Sequence, residues 1–294
     1  MKLVLGTVSF GIDGYSLPNA GNPKPSIKTI FGMLDYAFSN GIEFIDTGNA
    51  YGNSEDILGK YGIENIKITS KLKPNCLDGL REKEIFAKVR QELQQDLTRL
   101  KIDKMWGYYF HTPKYIYNKE AVNSLFECKK EGLVDNIGVS IYEPTDAINA
   151  AKMKLDIIQV PYNILDQRLH QTDFFKIAKE SNITVFGRSP YLKGLLTIPI
   201  DKIPSHLVGS VKHIRKIDTI ISKYKLTRIE ASLLFSITSS SIDYVVFGVD
   251  TLSQLVENIR IYTNKTQCDE CFAKLRHQFQ KIPDYVVMPS LWKK

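Results

Sequence analysis

The sequence of 294 residues lacks the features that mark several protein classes. Its four cysteines, Cys76, Cys128, Cys268 and Cys271, are too few for a disulfide-stapled scaffold. Only the last two form a Cys-x-x-Cys pair, and zinc needs four ligands, so we expect reduced thiols and no metal site. No apolar run approaches the ~20 residues of a membrane span, and the first residues are too short an apolar run for a signal peptide. We therefore expect a cytoplasmic protein with no membrane partner.

The sequence also lacks a concentrated basic region. Lys and Arg number 39 against 32 Asp and Glu, which gives a net charge of +7. The basic residues are interleaved with acidic ones, as in Arg-Glu-Lys-Glu at 81–84, and no basic run is mixed with aromatics. We therefore expect no nucleic-acid partner. A cationic surface of this kind is compatible with a phosphate-bearing small molecule.

Short apolar runs rich in β-branched residues alternate with longer amphipathic stretches along the chain. The runs predict eight strands, at residues 3–7, 43–46, 66–70, 105–110, 137–140, 157–160, 183–186 and 244–247. Each is followed by a helical pattern, such as 26–40 after the first strand and 252–261 after the last. Eight such units with no Pro/Gly/Ser-rich linker favour a closed (β/α)₈ barrel over an open doubly wound sheet.

The dinucleotide-binding fingerprint of the open sheet is absent, since Gly6 and Gly11 after the first strand do not match Gly-x-Gly-x-x-Gly. We therefore predict one α/β barrel domain over residues 1–294. Within it, residues 265–294 form a C-terminal helix and tail that cap one mouth of the barrel.

Ionisable residues stand at the ends of three successive predicted strands: Asp46, Lys71 and His111. Tyr51 follows Asp46 in a glycine-flanked loop. Because the loops at the carboxyl ends of barrel strands build the active site, the four side chains should converge. Lys71 would lower the phenol pKa toward neutrality, Asp46 would hold Lys71 charged, and His111 would donate a hydrogen bond to a substrate oxygen. Together they could polarise and protonate a carbonyl, although each residue taken alone also has a structural explanation.

These residues and several segments around them resemble the motifs of the aldo-keto reductases, and they occur in the same order along the chain from about residue 3 to residue 262. The resemblance rests on Leu-Gly-Thr at 5–7, Phe-Gly at 10–11, and the segments 41–47, 51–55, 70–71, 137–140, 159–163 and 248–258. It implies a barrel that binds NADP(H), with NAD(H) left open, and transfers hydride to an aldehyde or ketone. It also implies that Asp46, Tyr51, Lys71 and His111 are the catalytic residues, with Tyr51 as the proton donor.

The resemblance further implies a set of cofactor contacts. Ser140 and Gln159 would bind the nicotinamide carboxamide, residues 188–190 and 192–195 would follow the pyrophosphate, and residues 248–258 would hold the adenosine. The full predicted set is Thr7, Asp46, Ser140, Gln159, Arg188, Ser189, Leu192, Gly194, Gly248, Gln254, Glu257 and Asn258.

Three positions depart from the family pattern. Ile141 stands where asparagine is common, and Arg188 stands where an aromatic residue usually stacks on the nicotinamide. Asp250 stands where many relatives have a basic residue for the 2′-phosphate. An acid there repels a phosphate and can accept a ribose hydroxyl; Arg260 and Lys265 are the candidates to compensate.

The expected partner is a small carbonyl compound. Residues 159–169 and the loop with Arg188 resemble a branch of the family found in sugar and surface-polysaccharide metabolism, and this resemblance implies a keto-sugar or nucleotide-sugar substrate. Loops 15–25 and 112–118 and the tail around Trp292 should line its pocket. The chain is expected to be a monomer or a weak homo-oligomer. Two alternatives remain open: a non-catalytic subunit that senses a nicotinamide cofactor, and a Schiff-base lyase that uses Lys71.

Overall fold

Eight parallel strands close into a barrel within residues 1–63, 65–266 and 268–292, which the computed structural model describes. Each strand pairs with the next in sequence order, and the last pairs with the first. The strands are β1 Leu3–Gly6, β2 Phe44–Asp46, β3 Lys67–Leu72, β4 Met105–Phe110, β5 Val134–Ser140, β6 Ile157–Pro161, β7 Thr184–Arg188 and β8 Tyr244–Gly248. The predicted (β/α)₈ fold is confirmed.

Helices surround the barrel in the order predicted by the amphipathic pattern. They are α1 Val8–Gly11, α2 Ile27–Ser39, α3 Ser54–Tyr61, α4 Glu82–Leu100, α5 Lys119–Lys130, α6 Pro144–Ala151, α7 Phe174–Glu180, α8 Val211–Ile221, α9 Arg228–Ile237, α10 Leu252–Thr263, α11 Asp269–Gln278 and α12 Asp284–Val287. Local signals set their starts: Ser26 accepts a hydrogen bond from the Thr29 amide at the start of α2, and Thr227 and Glu230 form a capping box at α9.

The strands are buried on both faces, which explains why they read as continuous apolar runs. Between strands and helices lies the main core. Inside the barrel, a second cluster is formed by Val4, Phe44, Tyr109, Ile157, Phe186 and Val246. Phe44 meets Trp106 edge to face, with ring centroids 4.8 Å apart. This aromatic filling leaves room for a ligand at the mouth of the barrel.

The strand ends differ in detail from the predicted ones. β3 continues through Leu72, so Lys71 lies inside the strand rather than after it, and β7 continues to Arg188. The short helix α1, which begins two residues after β1 ends, and the 3₁₀ turns between residues 192 and 210 were not predicted. Their residues are too few for a periodic pattern to show.

The C-terminal segment after α10 contains α11, α12 and a 3₁₀ turn, Pro289–Leu291. The tail predicted for residues 265–294 includes residues 267, 293 and 294, which lie outside the described residues. Arg168 holds this segment through Asp284, with Nη1 and Oδ1 3.5 Å apart. Within the described ranges, no helix is long and apolar enough to cross a bilayer. The four cysteines are free thiols.

Candidate active site

A cavity of about 510 Å³ opens at the carboxyl-terminal mouth of the barrel. Residues from the loops after most of the strands line it, which is the arrangement expected of a barrel enzyme. Eleven of the twelve predicted cofactor-contact residues reach it: Thr7, Asp46, Ser140, Gln159, Arg188, Ser189, Gly194, Gly248, Gln254, Glu257 and Asn258. Tyr51 and His111 line it as well.

Asp46 and Lys71 form a buried ion pair at the floor of the cavity. Lys71 Nζ donates to Asp46 Oδ2 at 2.6 Å and to the Thr47 carbonyl at 2.8 Å. Asp46 Oδ1 accepts from Thr69 Oγ1 at 3.0 Å and from Gln159 Nε2 at 2.8 Å. The side chains are only 1% and 4% exposed, for Lys71 and Asp46 respectively. Because both carboxylate oxygens have donors, the pair meets the condition under which buried charges are tolerated.

Tyr51 stands over this pair, with Lys71 Nζ 4.9 Å from the centre of its ring. The tight turn at Gly52, where φ is +58°, places it there; a Cβ at Gly52 would lie 2.2 Å from the Gly11 carbonyl oxygen. The ring of Tyr51 also meets the His111 ring edge to face, with centroids 5.9 Å apart. The structure therefore brings the four predicted catalytic side chains together.

The pKa of Tyr51 moves in the direction opposite to the predicted one. Burial raises it well above its ordinary value, and the Asp46 carboxylate adds to that rise. The prediction that Lys71 would bring it toward neutrality is therefore wrong for this structure. The physical reason is that the Lys71 charge is paired with Asp46, so burial dominates.

His111 is neutral at ordinary pH. Burial lowers its pKa to about 3, and the charges of Lys71 and Arg188 act in the same direction. Its Nδ1 is buried and has no hydrogen-bond partner among the described residues. A neutral imidazole has one donor and one acceptor nitrogen, so His111 keeps hydrogen-bonding capacity for a ligand in the cavity.

A polar chain connects Ser140 to the ion pair. Ser140 Oγ donates to Gln159 Oε1 at 3.1 Å, and the Gln159 amide nitrogen donates to Asp46. Ser140 and Gln159 are paired residues on β5 and β6, which explains their contact. The hydroxyl and the amide line the cavity side by side.

Arg188 closes one side of the cavity. Its guanidinium lies 4.6 Å from the centre of the Tyr142 ring, and Nη2 donates to the Ile141 carbonyl at 3.0 Å. The stacking partner of Arg188 in the protein is therefore Tyr142. Ile141, which replaces the common asparagine, contributes its carbonyl oxygen to holding Arg188.

The loop after β7 holds its backbone in an unusual conformation. Ser189, Leu192 and Lys193 have φ values of +64°, +46° and +55°, the left-handed region that non-glycine residues rarely adopt. Such strain is typical of functional loops. Ser189 and Gly194 line the cavity, but the Leu192 side chain is 1% exposed and packs into the core. The structure thus does not place the Leu192 side chain at the cavity.

The loop after β1 crosses over the same region. The amide of Leu17 donates to the Lys193 carbonyl at 3.0 Å, and a Cβ at Gly194 would lie 2.3 Å from Pro18 Cδ. Further along, Ser16 Oγ donates to Asp250 Oδ2 at 2.5 Å. The loops after β1, β7 and β8 are therefore tied together above the cavity.

The end of the cavity beside β8 and α10 is acidic. Asp250 and Glu257 line it together with Gln254 and Asn258. Gln254 Oε1 accepts from the Asp250 amide at 2.7 Å, and Asn258 accepts from the hydroxyl of Tyr191. Asp250 Oδ1 is buried without a hydrogen-bond partner among the described residues.

The loops predicted to line the substrate pocket contribute unequally. The first loop supplies Tyr15, Ser16 and Pro18, and the tail supplies Pro289 and Ser290 rather than Trp292. Loop 112–118 is absent from the lining residues.

Sequence reasoning missed several lining residues, among them Tyr142, Tyr191 and Thr197. For Tyr142 a signal existed, because it comes two residues after Ser140 at the end of a predicted strand.

Fold and cavity together define a barrel enzyme with a polar site at its carboxyl-terminal mouth. The model of the aldo/keto reductase family matches residues 2–276. The chain therefore belongs to the aldo/keto reductase family, and it is an NAD(P)H-dependent reductase.

Two relatives and one solved structure illustrate the similarity. The chain is 27% identical over 283 residues to the uncharacterized oxidoreductase YqkF of Bacillus subtilis (strain 168), covering 88% of this chain and 90% of the relative. It is 26% identical over 246 residues to L-galactose dehydrogenase of Arabidopsis thaliana, covering 77% and 76%. The holo form of aldo-keto reductase AKR11C1 from Bacillus halodurans superimposes with a TM-score of 0.75 over 95% of both chains, at 19% identity, which supports the fold.

The two alternative functions are not supported by these findings. Lys71 donates to Asp46 and Thr47 and is almost completely buried, so it is not placed as the nucleophile of a Schiff-base lyase. The family match and the oxidoreductase relatives favour an enzyme over a sensing subunit.

Proposed function

We propose that the protein reduces an aldehyde or ketone, with Tyr51 as the general acid. The observation that carries the proposal is the position of Tyr51, which lines the cavity between the Lys71–Asp46 pair and the neutral ring of His111. A phenol with a raised pKa stays protonated at neutral pH and holds the proton that a reduced carbonyl oxygen needs.

The lining residues fit a nicotinamide cofactor. Ser140 and Gln159 offer a hydroxyl and an amide for a carboxamide, and the unpartnered Asp250 Oδ1 offers an acceptor for a hydroxyl. The cofactor, when bound, supplies the hydride that reduces the carbonyl carbon. The loop after β7 would follow the phosphates, and residues 248–258 would hold the adenosine.

The roles of the other three residues follow from their contacts. Although burial keeps the pKa of Tyr51 raised in the free protein, the Lys71 charge 4.9 Å from the ring centre would offset part of the negative charge that forms when Tyr51 gives up its proton. Asp46 keeps Lys71 in place. His111, neutral and with an unpartnered ring nitrogen, would hydrogen-bond the substrate oxygen beside Tyr51.

The proposed substrate class is a keto-sugar or nucleotide-sugar. Support comes from the positive charge of Arg188 and from the hydroxyl groups of Ser9 and Tyr15 along the cavity. We also propose that residues 1–294 act as one unit with a C-terminal cap, since Pro289 and Ser290 reach the cavity.

The test is Tyr51→Phe, which removes the phenol proton and little else. We expect turnover of carbonyl substrates with NADH and NADPH to fall by about 10²- to 10⁴-fold, as for the loss of a general acid. The nucleotide Kd, measured by fluorescence titration, should change less than about twofold, because the ring is retained. The substrate panel should include keto sugars.

The matched control is Tyr61→Phe, whose hydroxyl donates to Asp35 outside the cavity. Its turnover should equal that of the wild type. Retained turnover in Tyr51→Phe would contradict the assignment of the proton donor.

A further inference from the structure

We propose that the hydrogen bond from Asn49 to Asp96 fixes the position of Tyr51 for proton transfer, which makes Asn49 and Asp96 positioning residues of the reductase. The inference rests on the proposed function, because both residues would act through the general acid Tyr51. Neither side chain lines the cavity. They lie behind the active site, where the turn that follows β2 meets the helix α4.

Tyr51 is carried by the short turn Gly-Asn-Ala-Tyr-Gly at residues 48–52. The Tyr51 amide donates to the Gly48 carbonyl at 2.9 Å, and a Cβ at Gly48 would lie 3.5 Å from Tyr51 Cζ. The phenol ring therefore lies against the backbone of Gly48, and a movement of that backbone would move the ring. Two glycines give the turn wide conformational freedom. Apart from Tyr51 itself, Asn49 is the one polar side chain of the turn.

Asn49 ties this turn to α4. Its side-chain Nδ2 donates to Asp96 Oδ1 at 3.0 Å, whereas its backbone amide reaches the Lys71 carbonyl at 3.4 Å. The second distance exceeds the usual range for an N–H···O hydrogen bond, so the side-chain contact is the firmer link. The Asn49 side chain is half-buried, which limits the competition of water for this bond.

Asp96 is a fixed acceptor because the protein engages both of its carboxylate oxygens. It lies on α4 with no exposed surface. Oδ2 accepts from the hydroxyl of Tyr108 at 2.8 Å, and Oδ1 accepts from Arg99 Nη2 as well as from Asn49. A buried carboxylate that receives three donors cannot turn without losing one of them. The turn that carries the general acid is therefore anchored to a fixed point of the barrel wall.

The same network reaches the strand that carries Lys71. Arg99 Nε donates to Glu55 Oε2 at 2.9 Å, and Ser70 Oγ donates to Glu55 Oε1 at 2.6 Å. Ser70 directly precedes Lys71 on β3. One set of contacts thus joins the turn of Tyr51 to the strand of Lys71 and sets the spacing between the acid and the cation. Since a misplacement of about 1 Å can cost about 10²-fold in rate, loss of the anchor should slow the reaction.

The first test is Asn49→Ala, which removes the anchor and leaves the lining of the cavity unchanged. We expect the single-turnover rate of hydride transfer to fall by about 10- to 100-fold, because Tyr51 is misplaced when the carbonyl oxygen needs its proton. The absorbance of NADH or NADPH follows the reaction, with glyceraldehyde or the most active compound of the carbonyl panel. Nucleotide Kd values, measured by fluorescence titration, should change less than about twofold, because Asn49 does not line the cavity.

The second measurement does not depend on activity. Amide hydrogen exchange of residues 47–54, measured by mass spectrometry in the nucleotide-free protein, reports how often the turn opens. We expect faster exchange in Asn49→Ala than in the wild type, since the Tyr51 amide loses protection when the turn moves. A role in global stability alone would instead raise exchange throughout the barrel strands.

Two control variants separate this hydrogen bond from other effects. Asp96→Asn keeps an oxygen that can accept from Asn49 and Arg99, and its amide group can donate to the Tyr108 hydroxyl. Its transfer rate and exchange should stay within about twofold of the wild type. Asn136→Ala removes a half-buried side chain that donates to a backbone carbonyl at 2.8 Å near the start of β5, at the opposite end of the barrel. It should leave both measurements unchanged.

The outcomes separate the two proposals. A wild-type transfer rate in Asn49→Ala, together with a loss of turnover in Tyr51→Phe, would overturn the positioning role and leave the reductase proposal intact. A slow Asn49→Ala without faster exchange of the turn, or an Asp96→Asn variant as slow as Asn49→Ala, would also overturn the positioning role. Full turnover in Tyr51→Phe would overturn the assigned proton donor and, with it, this inference.

Discussion

Two carboxylates in the same cavity, Asp46 and Asp250, differ in how many hydrogen-bond donors the protein supplies to them. Asp46 accepts hydrogen bonds from Lys71, Thr69 and Gln159, so each of its carboxylate oxygens has a donor. Among the described residues, the Asp250 carboxylate accepts a hydrogen bond from the Ser16 hydroxyl alone, and its second oxygen is buried without a partner. Since the desolvation of a carboxylate must be offset by donors or a cation, the first site is complete in the protein itself. The second leaves one oxygen available to accept a hydrogen bond from a ligand in the cavity.

The two ends of the cavity accordingly present different charged groups. At the Tyr51 end the Asp46 charge is neutralised by Lys71, which leaves Arg188 as an excess positive charge. At the α10 end the cavity is lined by Asp250 and Glu257.

Lys71→Met should have the largest effect on this comparison, because it removes the cation that neutralises the buried Asp46 carboxylate. We expect the free energy of unfolding at pH 7 to fall by about 3–5 kcal/mol, as for other broken buried pairs. Urea denaturation measures the change. The double variant Asp46→Asn/Lys71→Met should recover much of the loss, because it removes the uncompensated charge.

Lys67→Met is the matched control on the same strand. Lys67 pairs with Glu43 at 3.8 Å, and both side chains are about half exposed or more, at 48% and 67%. Its loss should cost less than about 1 kcal/mol, because exposed pairs contribute little. Equal losses in the two variants would show that the buried pair has no special role in stability.

Removing one hydrogen-bond donor from Asp46 and one from Asp250 should change the free energy of unfolding by less, and it compares the two carboxylates directly. Thr69→Val should cost about 1–3 kcal/mol, because it removes a buried donor from Asp46. Ser16→Ala should cost less than about 1 kcal/mol, because Asp250 is only half-buried and water can reach Oδ2 once the hydroxyl is gone. The same urea denaturation measures both changes, and a larger loss for Ser16→Ala would contradict the comparison.

A third carboxylate, Asp96, extends the comparison to pH. Burial raises its pKa to about 7 and the Glu55 carboxylate adds to the rise, despite hydrogen bonds from Asn49 and Tyr108 and the ion pair with Arg99. The folded state therefore holds a proton that the unfolded state has already released between about pH 4 and pH 7. This contribution makes the protein less stable as the pH rises through that window, and the penalty is complete above it.

Asp96→Asn should remove this penalty. We expect its melting temperature to exceed that of the wild type by a few degrees at pH 8, with the difference shrinking toward pH 4. Asp56→Asn, an exposed position on α3, serves as the control and should show no such trend. A pH-independent difference between Asp96→Asn and the wild type would contradict the assigned titration.

The pattern of the chain was sufficient for the fold and for the cluster of four predicted catalytic residues. Alternating apolar runs and amphipathic stretches predicted all eight strands, and strand-end positions predicted the convergence of Asp46, Tyr51, Lys71 and His111. The position of Lys71 inside β3, the burial of Leu192 and the direction of the Tyr51 pKa were not predictable. Each depends on how deep a side chain lies and which charge faces it, and a local pattern does not contain that information.

The sequence by itself determined the alternation of strands and helices and the kinds of side chain at each strand end, because both depend on residues a few positions apart. Only the tertiary structure decided which charges are neutralised. Gln159 reaches Asp46 across 113 positions of sequence, and Ser16 reaches Asp250 across 234. Barrel closure brings such distant residues together, and their distances in space decide whether a carboxylate is satisfied within the protein or left for a ligand.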